Sequence, residues 1–592
     1  MRNQNPMYSR KRNDCVYTEY RVNYYRTLGR CSGRGEPEKS QTRFMGGVRF
    51  VGDWERHYPE GVRRRLEYPR IPMFRILEQT AATYPDLPAV RFRGRRMTYR
   101  ELVGAVNQCA NALKQVGVGV GDRVALMMPN VPQFIIAYFG ILKAGGIVAQ
   151  VNPLFVEREI EHVLTNSGSQ VLIVPDLLYP KVAGLAARLG LSKVLVARLG
   201  GEVELGPEAA SFEELLAASS PADPGVAVSP DAVAVLQYTG GTTGVSKGAM
   251  LTHFNLVANT TQVMEWFKLR QRPPGEHRVL CVLPLFHSYG MTACMNHGLA
   301  SGAELILLPR FELQEVLETI RDTQPNSFPG VPTMYVAVAS HPQAEAYGVS
   351  AIDLCNSGGA PMPVEVMRRF EERFGAVITE GYGLSEASPV THCNPVVGLR
   401  KPGSIGLPVP DTEYRIVDVE TGTRELPPGE EGELIIRGPQ VMVGYWNMPE
   451  ETRAALRQID GETWLFTGDI ARRDEDGYVY ITDRKKDMIV AGGYNIYPRE
   501  VEEVLYMHPA IQEAAVVGVP DAYRGETVKA FLVLKPGQST TPAELDQHCR
   551  QQLAAYKVPR QFEFREALPK SAVGKVLRRV LAEEERRRQM GV

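Results

Sequence analysis

What this chain lacks narrows its class before any motif is read. Its eight cysteines are scattered, none forms a Cys-x-x-Cys pair, and the histidines show no ligand spacing. That excludes a disulfide framework and a structural zinc site, and it fits a reducing compartment. No apolar run is long enough to cross a bilayer: the most apolar window, residues 134–151, is broken by Lys143, Gly140, Gly145 and Gly146. The formal net charge of -1 gives no global field toward nucleic acid, so no nucleic-acid partner is expected. The polar, arginine-rich amino terminus is not expected to be a secretory signal. There is also no Gly-x-Ser-x-Gly elbow and no triad spacing, which argues against a protein nucleophile of the hydrolase kind.

What is present is centred on one stretch, Tyr238-Thr239-Gly240-Gly241-Thr242-Thr243-Gly244-Val245-Ser246-Lys247-Gly248. It follows the apolar run Val233-Ala234-Val235-Leu236. Such a loop leaves backbone N–H groups uncovered and lines a turn with hydroxyl donors, and Lys247 adds a cation. Four glycines with interleaved hydroxyls and a lysine favour a polyphosphate cradle over a plain hairpin turn. It is not a Walker A loop, because Lys247 is followed by Gly248 and the glycine spacing differs.

The organisation around that loop is α/β. At 592 residues, 44% apolar and 23% charged, the chain holds about four units of domain size with ample core material. Residues 1–45 are arginine- and tyrosine-rich, and read as a basic disordered arm or as a leader ahead of a true start at Met45. From Phe74, helical and strand patterns alternate, which implies parallel sheet with crossover connections. Thr98 and Glu101 form the signature of a capping box, and Thr541-Pro542 opens another helix. A helix is expected over 291–299. An Ala/Ser/Pro/Asp-rich linker, 217–230, leads into the glycine-rich loop. Residues 405–445 turn β-rich, as a small antiparallel barrel would, and a hairpin follows with Asp476-Gly477 at its turn. The boundary is expected in the polar run at 483–487. It divides a large domain (46–484) of two α/β subdomains plus the barrel from a smaller, mobile α+β domain (485–592).

Read in order, the motifs resemble those of the adenylate-forming superfamily of acyl-CoA synthetases, luciferases and adenylation domains, over residues 74–579. Bacterial long-chain-fatty-acid–CoA ligases are the nearest pattern. The resemblance implies MgATP, a fatty acid and CoA as partners: acid and ATP give acyl-AMP and pyrophosphate, then CoA displaces AMP. It assigns Thr239, Gly241, Thr242, Thr243, Gly244 and Lys247 to the phosphates, with Gly240 where many members have serine. Gly359, Ala360 and Pro361 would face adenine. Glu380-Gly381-Tyr382-Gly383-Leu384-Ser385-Glu386 would stack adenine on Tyr382, contact phosphate through Ser385 and hold Mg²⁺ through Glu386, with Thr239 as the second metal contact. Asp469 and Arg484 would hold the ribose. Lys575 would meet the carboxylate and α-phosphate, whereas Lys570 is the bland lysine of that loop. Lys486 would be the pivot between half-reactions, and Gly492, Gly493 and Tyr494 would line the thiol's approach. His287, Met291 and Gly330 would shape the acyl pocket.

The residue chemistry agrees with that assignment. A carboxylate attacking a phosphate brings its own nucleophile, so the protein must supply charge, positioning and a metal. Magnesium takes hard oxygen ligands and commonly only one or two carboxylates. A medium-chain or aryl acid–CoA ligase and a fatty acyl-AMP ligase are the alternatives. A cytoplasmic location is expected, while peripheral membrane contact and a homodimer stay open.

Overall fold

The computed structural model describes residues 53–201, 203–239, 246–484, 487–491, 494–521, 524–571 and 574–590. The readings on 1–45, Gly241, Thr242, Thr243, Gly244, Lys486, Gly492 and Gly493 lie outside the described residues. For Arg484 and Tyr494 only the backbone is described.

Two largely parallel sheets carry the first two thirds of the chain. The first has seven strands, in the order Ala209–Ser211, Lys193–Ala197, Val171–Pro175, Arg123–Leu126, Ile147–Gln150, Val233–Thr239 and Lys247–Thr252. Only the last pair is antiparallel, and its two strands flank the glycine-rich stretch in sequence. The second sheet has nine strands. Its parallel centre runs Pro88–Phe92, Glu304–Leu307, Arg278–Cys281, Ser327–Gly330, Leu354–Ser357 and Ile378–Gly383. Strands such as Ile147–Gln150 and Glu304–Leu307 are buried at every residue, as a parallel strand covered on both faces must be.

Local signals set the helix starts. The Thr98 hydroxyl accepts from the Glu101 N–H while the Glu101 carboxylate accepts from the Thr98 N–H, opening helix Tyr99–Gln115. Thr541 and Glu544 repeat the device ahead of Pro542–Gln552. The expected helix over 291–299 is different: Gly290–Asn296 is π-helical, and only His297–Ala300 is α-helical. Its wider turn changes which side chains face inward.

The β-rich run expected as a barrel is a five-stranded antiparallel sheet. It comprises Glu413–Val417, Gly432–Arg437, Glu462–Arg473 and Leu456–Ile459, with Val479–Arg484 paired to Glu462–Arg473. The last sheet pairs Ile511–Asp521 with Gly525–Leu534 and sets Gln561–Phe564 parallel to the latter. Helices Pro498–Met507, Pro542–Gln552 and Arg578–Met590 accompany it.

One buried arginine fastens this last unit to the second sheet. The Arg499 N–H donates to Asp483 Oδ2 at 3.1 Å, and its Nη1 donates to the Ile481 carbonyl at 2.6 Å. Its Nη2 lies 3.9 Å from Glu380 Oε1. Glu380 also accepts from the Met362 N–H at 3.1 Å, and its Oε2 has no partner among the described residues. Burial dominates over the arginine and pushes the Glu380 carboxyl up to about 7. A carboxyl raised in the folded state favours folding at low pH, and that contribution is lost as pH rises from about 4.5 through about 7. The loss is on the order of 3 kcal/mol. Glu380→Gln is therefore expected to raise the thermal midpoint at pH 8 and to lose most of that advantage at pH 5. A difference independent of pH would contradict this reading of Glu380.

Candidate active site

The carboxyl ends of parallel strands from both sheets open onto one cavity of about 570 Å³. From the first sheet, Thr239 ends its strand and pairs with Lys247 across the hairpin. Ser246 Oγ donates to the Thr239 carbonyl at 2.6 Å and closes the base of the turn. The Lys247 ammonium sits 5.3 Å from the centroid of the Tyr445 ring, an attractive place for a cation. Thr239, Lys247 and Tyr445 all line the cavity.

The second sheet supplies the opposite wall. Strand Leu354–Ser357 leads into Gly358 and Gly359, and strand Ile378–Gly383 leads into Leu384, Ser385 and Glu386. Gly383 is required here: a Cβ would lie 2.2 Å from the Pro389 carbonyl oxygen, where the returning chain crosses. The antiparallel sheet adds Thr467, Gly468 and Asp469. The Tyr382 hydroxyl donates to Asp469 Oδ2 at 2.5 Å, and the Gly468 N–H donates to Glu433 Oε1 at 3.0 Å. In backbone register, Asp469 faces Arg484.

Lys575 reaches the same cavity from the loop between strand Gln561–Phe564 and helix Arg578–Met590. The Ser571 N–H donates to the Lys575 carbonyl, the Gly574 N–H to the Ser571 carbonyl, and Lys570 bridges Val576. This tight turn points the two lysines apart. Lys570 Nζ is held by Glu513 Oε1 at 2.6 Å, while Lys575 faces the cavity.

His287 stands beside it. The Tyr289 N–H donates to His287 Nδ1 at 3.3 Å, so the neutral ring carries its proton on Nε2. Burial first, and the Lys575 charge second, pull the ring down to about 4. It is thus a neutral donor at ordinary pH and not an acid–base group. Beyond it the cavity turns apolar, walled by Val263, Phe267, Ala293, Pro389, Val390 and Cys393.

The cavity therefore brings together Thr239, Lys247, His287, Gly359, Gly381, Tyr382, Gly383, Ser385, Glu386, Asp469 and Lys575. Five expected residues whose side chains are described are not among those lining it. Met291 is wholly buried, because the π-helical turn presents Ala293 to the cavity instead. Gly330 is packed against the Tyr335 ring, at 3.1 Å from where its Cβ would be. Glu380 turns away toward Met362 and Arg499. Ala360 and Pro361 follow the glycine turn outward. Sequence reasoning assigned no role to Tyr289, Glu433 and Tyr445, although Tyr289 stands in the segment around His287. Only their cross-chain partners reveal them, as when Tyr289 Oη donates to the Asn356 backbone and side chain at 2.7 Å.

Among the described residues no group of three or more His, Cys, Asp or Glu side chains could hold a metal ion. The cavity does offer Glu386 and the Thr239 hydroxyl, hard oxygen donors that fit magnesium when phosphate oxygens complete the shell.

Residues 77–446 match the family model of AMP-binding enzymes, and residues 500–575 match that of the AMP-binding enzyme C-terminal domain. The chain belongs to the AMP-binding enzyme family. Among similar members, a long-chain-fatty-acid–CoA ligase of Bacillus subtilis is 46% identical over 90% of this chain and 98% of its own length. One from Escherichia coli is 38% identical over the same shares. Among solved structures, ATP-bound MatB from Rhodopseudomonas palustris superposes with a TM-score of 0.79 at 31% identity, covering 87% of this chain and 99% of its own. A Mycobacterium tuberculosis fatty acyl CoA synthetase gives 0.67 at 30% identity, covering 87% and 98%. No described helix of this AMP-binding enzyme is long and apolar enough to cross a membrane.

Because Lys575 lowers the His287 pKa, Lys575→Ala is expected to shift His287 titration upward. Nitrogen-15 NMR of labelled histidines measures this, with His287→Asn identifying the signal. An unmoved titration would mean that the lysine does not occupy the cavity in solution.

Proposed function

We propose that this enzyme is an AMP-forming long-chain fatty acid–CoA ligase. Fatty acid and MgATP give acyl-AMP and pyrophosphate, and CoA then gives acyl-CoA and AMP. The observation that carries the reading is one cavity with a phosphate-side lysine, Lys247, a second lysine, Lys575, from a loop of the last unit, and apolar walls beside His287. Adenosine rests against Gly359 and Tyr382, with Asp469 accepting from the ribose. Lys247 and the glycine-rich loop take the β- and γ-phosphates. His287 Nε2–H donates to the acyl carboxylate and aims it at the α-phosphate, while the chain lies against Val263 and Phe267. Lys575 neutralises charge that grows on the carboxylate and α-phosphate as the bond forms. Glu386 and Thr239 are the residues that would hold Mg²⁺, which supplies neutralisation of phosphate charge when bound. The apolar walls keep water from the mixed anhydride.

The division at 483–487 belongs to the same proposal. Residues 485–592 pivot at Lys486 after adenylation, Lys575 withdraws, and Gly492, Gly493 and Tyr494 line the approach of the CoA thiol. The reaction runs in the cytoplasm, with peripheral membrane contact for fatty acid supply and a homodimer as further elements of the proposal.

Lys575→Ala is the test. Oleate-dependent ATP–pyrophosphate exchange is expected to fall by on the order of 10²- to 10³-fold, as for a lost transition-state donor, while CoA transfer from supplied oleoyl-AMP is largely spared. Equal loss of both steps would sink the assignment.

A further inference from the structure

We propose that Tyr445 is a positioning residue that holds the metal-binding carboxylate and the phosphate lysine of this site in one fixed relation. Tyr445 Oη donates to Glu386 Oε1 at 2.7 Å. The face of the same ring lies 5.3 Å from Lys247 Nζ. One aromatic side chain thus meets both groups that must face the metal and the terminal phosphates, one from each wall of the site.

The hydroxyl is not needed to hold its own segment. The Met442 N–H donates to the Glu386 carbonyl at 2.7 Å, and the Val443 N–H to the Met250 carbonyl at 3.1 Å. The Met250 N–H donates to the Gly444 carbonyl at 2.8 Å, and the Trp446 N–H to the Gly248 carbonyl at 2.8 Å. These backbone bonds lay residues 442–446 along strand Lys247–Thr252 whether or not residue 445 carries an oxygen. What the oxygen adds is a neutral donor to one lobe of the Glu386 carboxylate. Oε2 has no hydrogen-bond partner among the described residues. A carboxylate held this way loses its freedom to turn, so the oxygen offered to a cation is set in advance. The ring restricts Lys247 in the same way on the phosphate side. Metal-free ATP needs only the second of these effects, and MgATP needs both.

The inference rests on the reading of Glu386 as the metal's carboxylate, and the experiment separates the two. Equilibrium binding to the full chain is measured by calorimetry, with ATP plus Mg²⁺ and with ATP plus excess EDTA. Tyr445→Phe keeps the ring under Lys247 and removes the hydroxyl. It is expected to weaken MgATP binding about tenfold, the scale of one hydrogen bond to a charged group, and to leave metal-free ATP unchanged. Tyr445→Leu removes the ring as well and is expected to weaken both. Glu386→Gln combined with Tyr445→Phe is expected to lose no more MgATP affinity than Glu386→Gln alone, because the hydroxyl acts through the carboxylate. If Glu386→Gln leaves MgATP binding untouched, the reading of Glu386 fails and the inference falls with it. If Glu386→Gln weakens MgATP but Tyr445→Phe does not, or if Tyr445→Phe weakens both nucleotides alike, the metal reading stands and the role of Tyr445 is overturned.

Discussion

Lys575 reaches the cavity because the residue just before it, Gly574, carries no side chain. Gly574 has a φ of +75°, and a Cβ there would stand 2.8 Å from Thr333 Oγ1 and 3.2 Å from Val331. Any L-residue would be strained in conformation and would push the turn off the wall it rests on. The site depends on this close seat. A polyphosphate and a carboxylate repel each other, and the seven-stranded sheet contributes Lys247 at the phosphate hairpin. The cation that lets the two anions meet is supplied by Lys575, from the loop ahead of helix Arg578–Met590.

The contacts around that turn are consistent with a unit that is held but not fused. Arg499 joins Glu380, Ile481 and Asp483, and Arg578 pairs with Glu502 while lying 3.7 Å from Asp483 and from Asp487. These charges gather on either side of the polar run where the pivot is proposed. At Glu380 burial outweighs Arg499, so the seam carries a carboxyl whose charge is costly and only partly offset. Glu380 also begins the strand end that carries Tyr382, which links the seam to the nucleotide wall through three consecutive residues.

The sequence spoke most clearly where the physics is local. Capping at Thr98 and Thr541 needs residues three apart, and a buried parallel strand such as Val171–Pro175 announces itself as an unbroken apolar run. Motif glycines were legible because close approach forbids anything else, as at Gly383. Three features were not legible. The π-helical turn at Gly290–Asn296 has no spacing signal distinct from an α-helix, and it sets Ala293 on the cavity while Met291 is buried. Glu380 lies inside a nucleotide motif yet turns toward an arginine more than a hundred residues away. Tyr445 and Glu433 acquire meaning only from strands that fold against them.

Phosphate and nucleotide groups alone would serve many acids. The apolar limb walled by Val263, Phe267, Ala293 and Val390 is what makes the substrate a fatty chain. CoA-dependent AMP release across acids from acetate to oleate, with aryl acids included, tests that directly. Saturable turnover with the highest kcat/KM at long chain lengths is the predicted result. Turnover confined to short or aryl acids would contradict it.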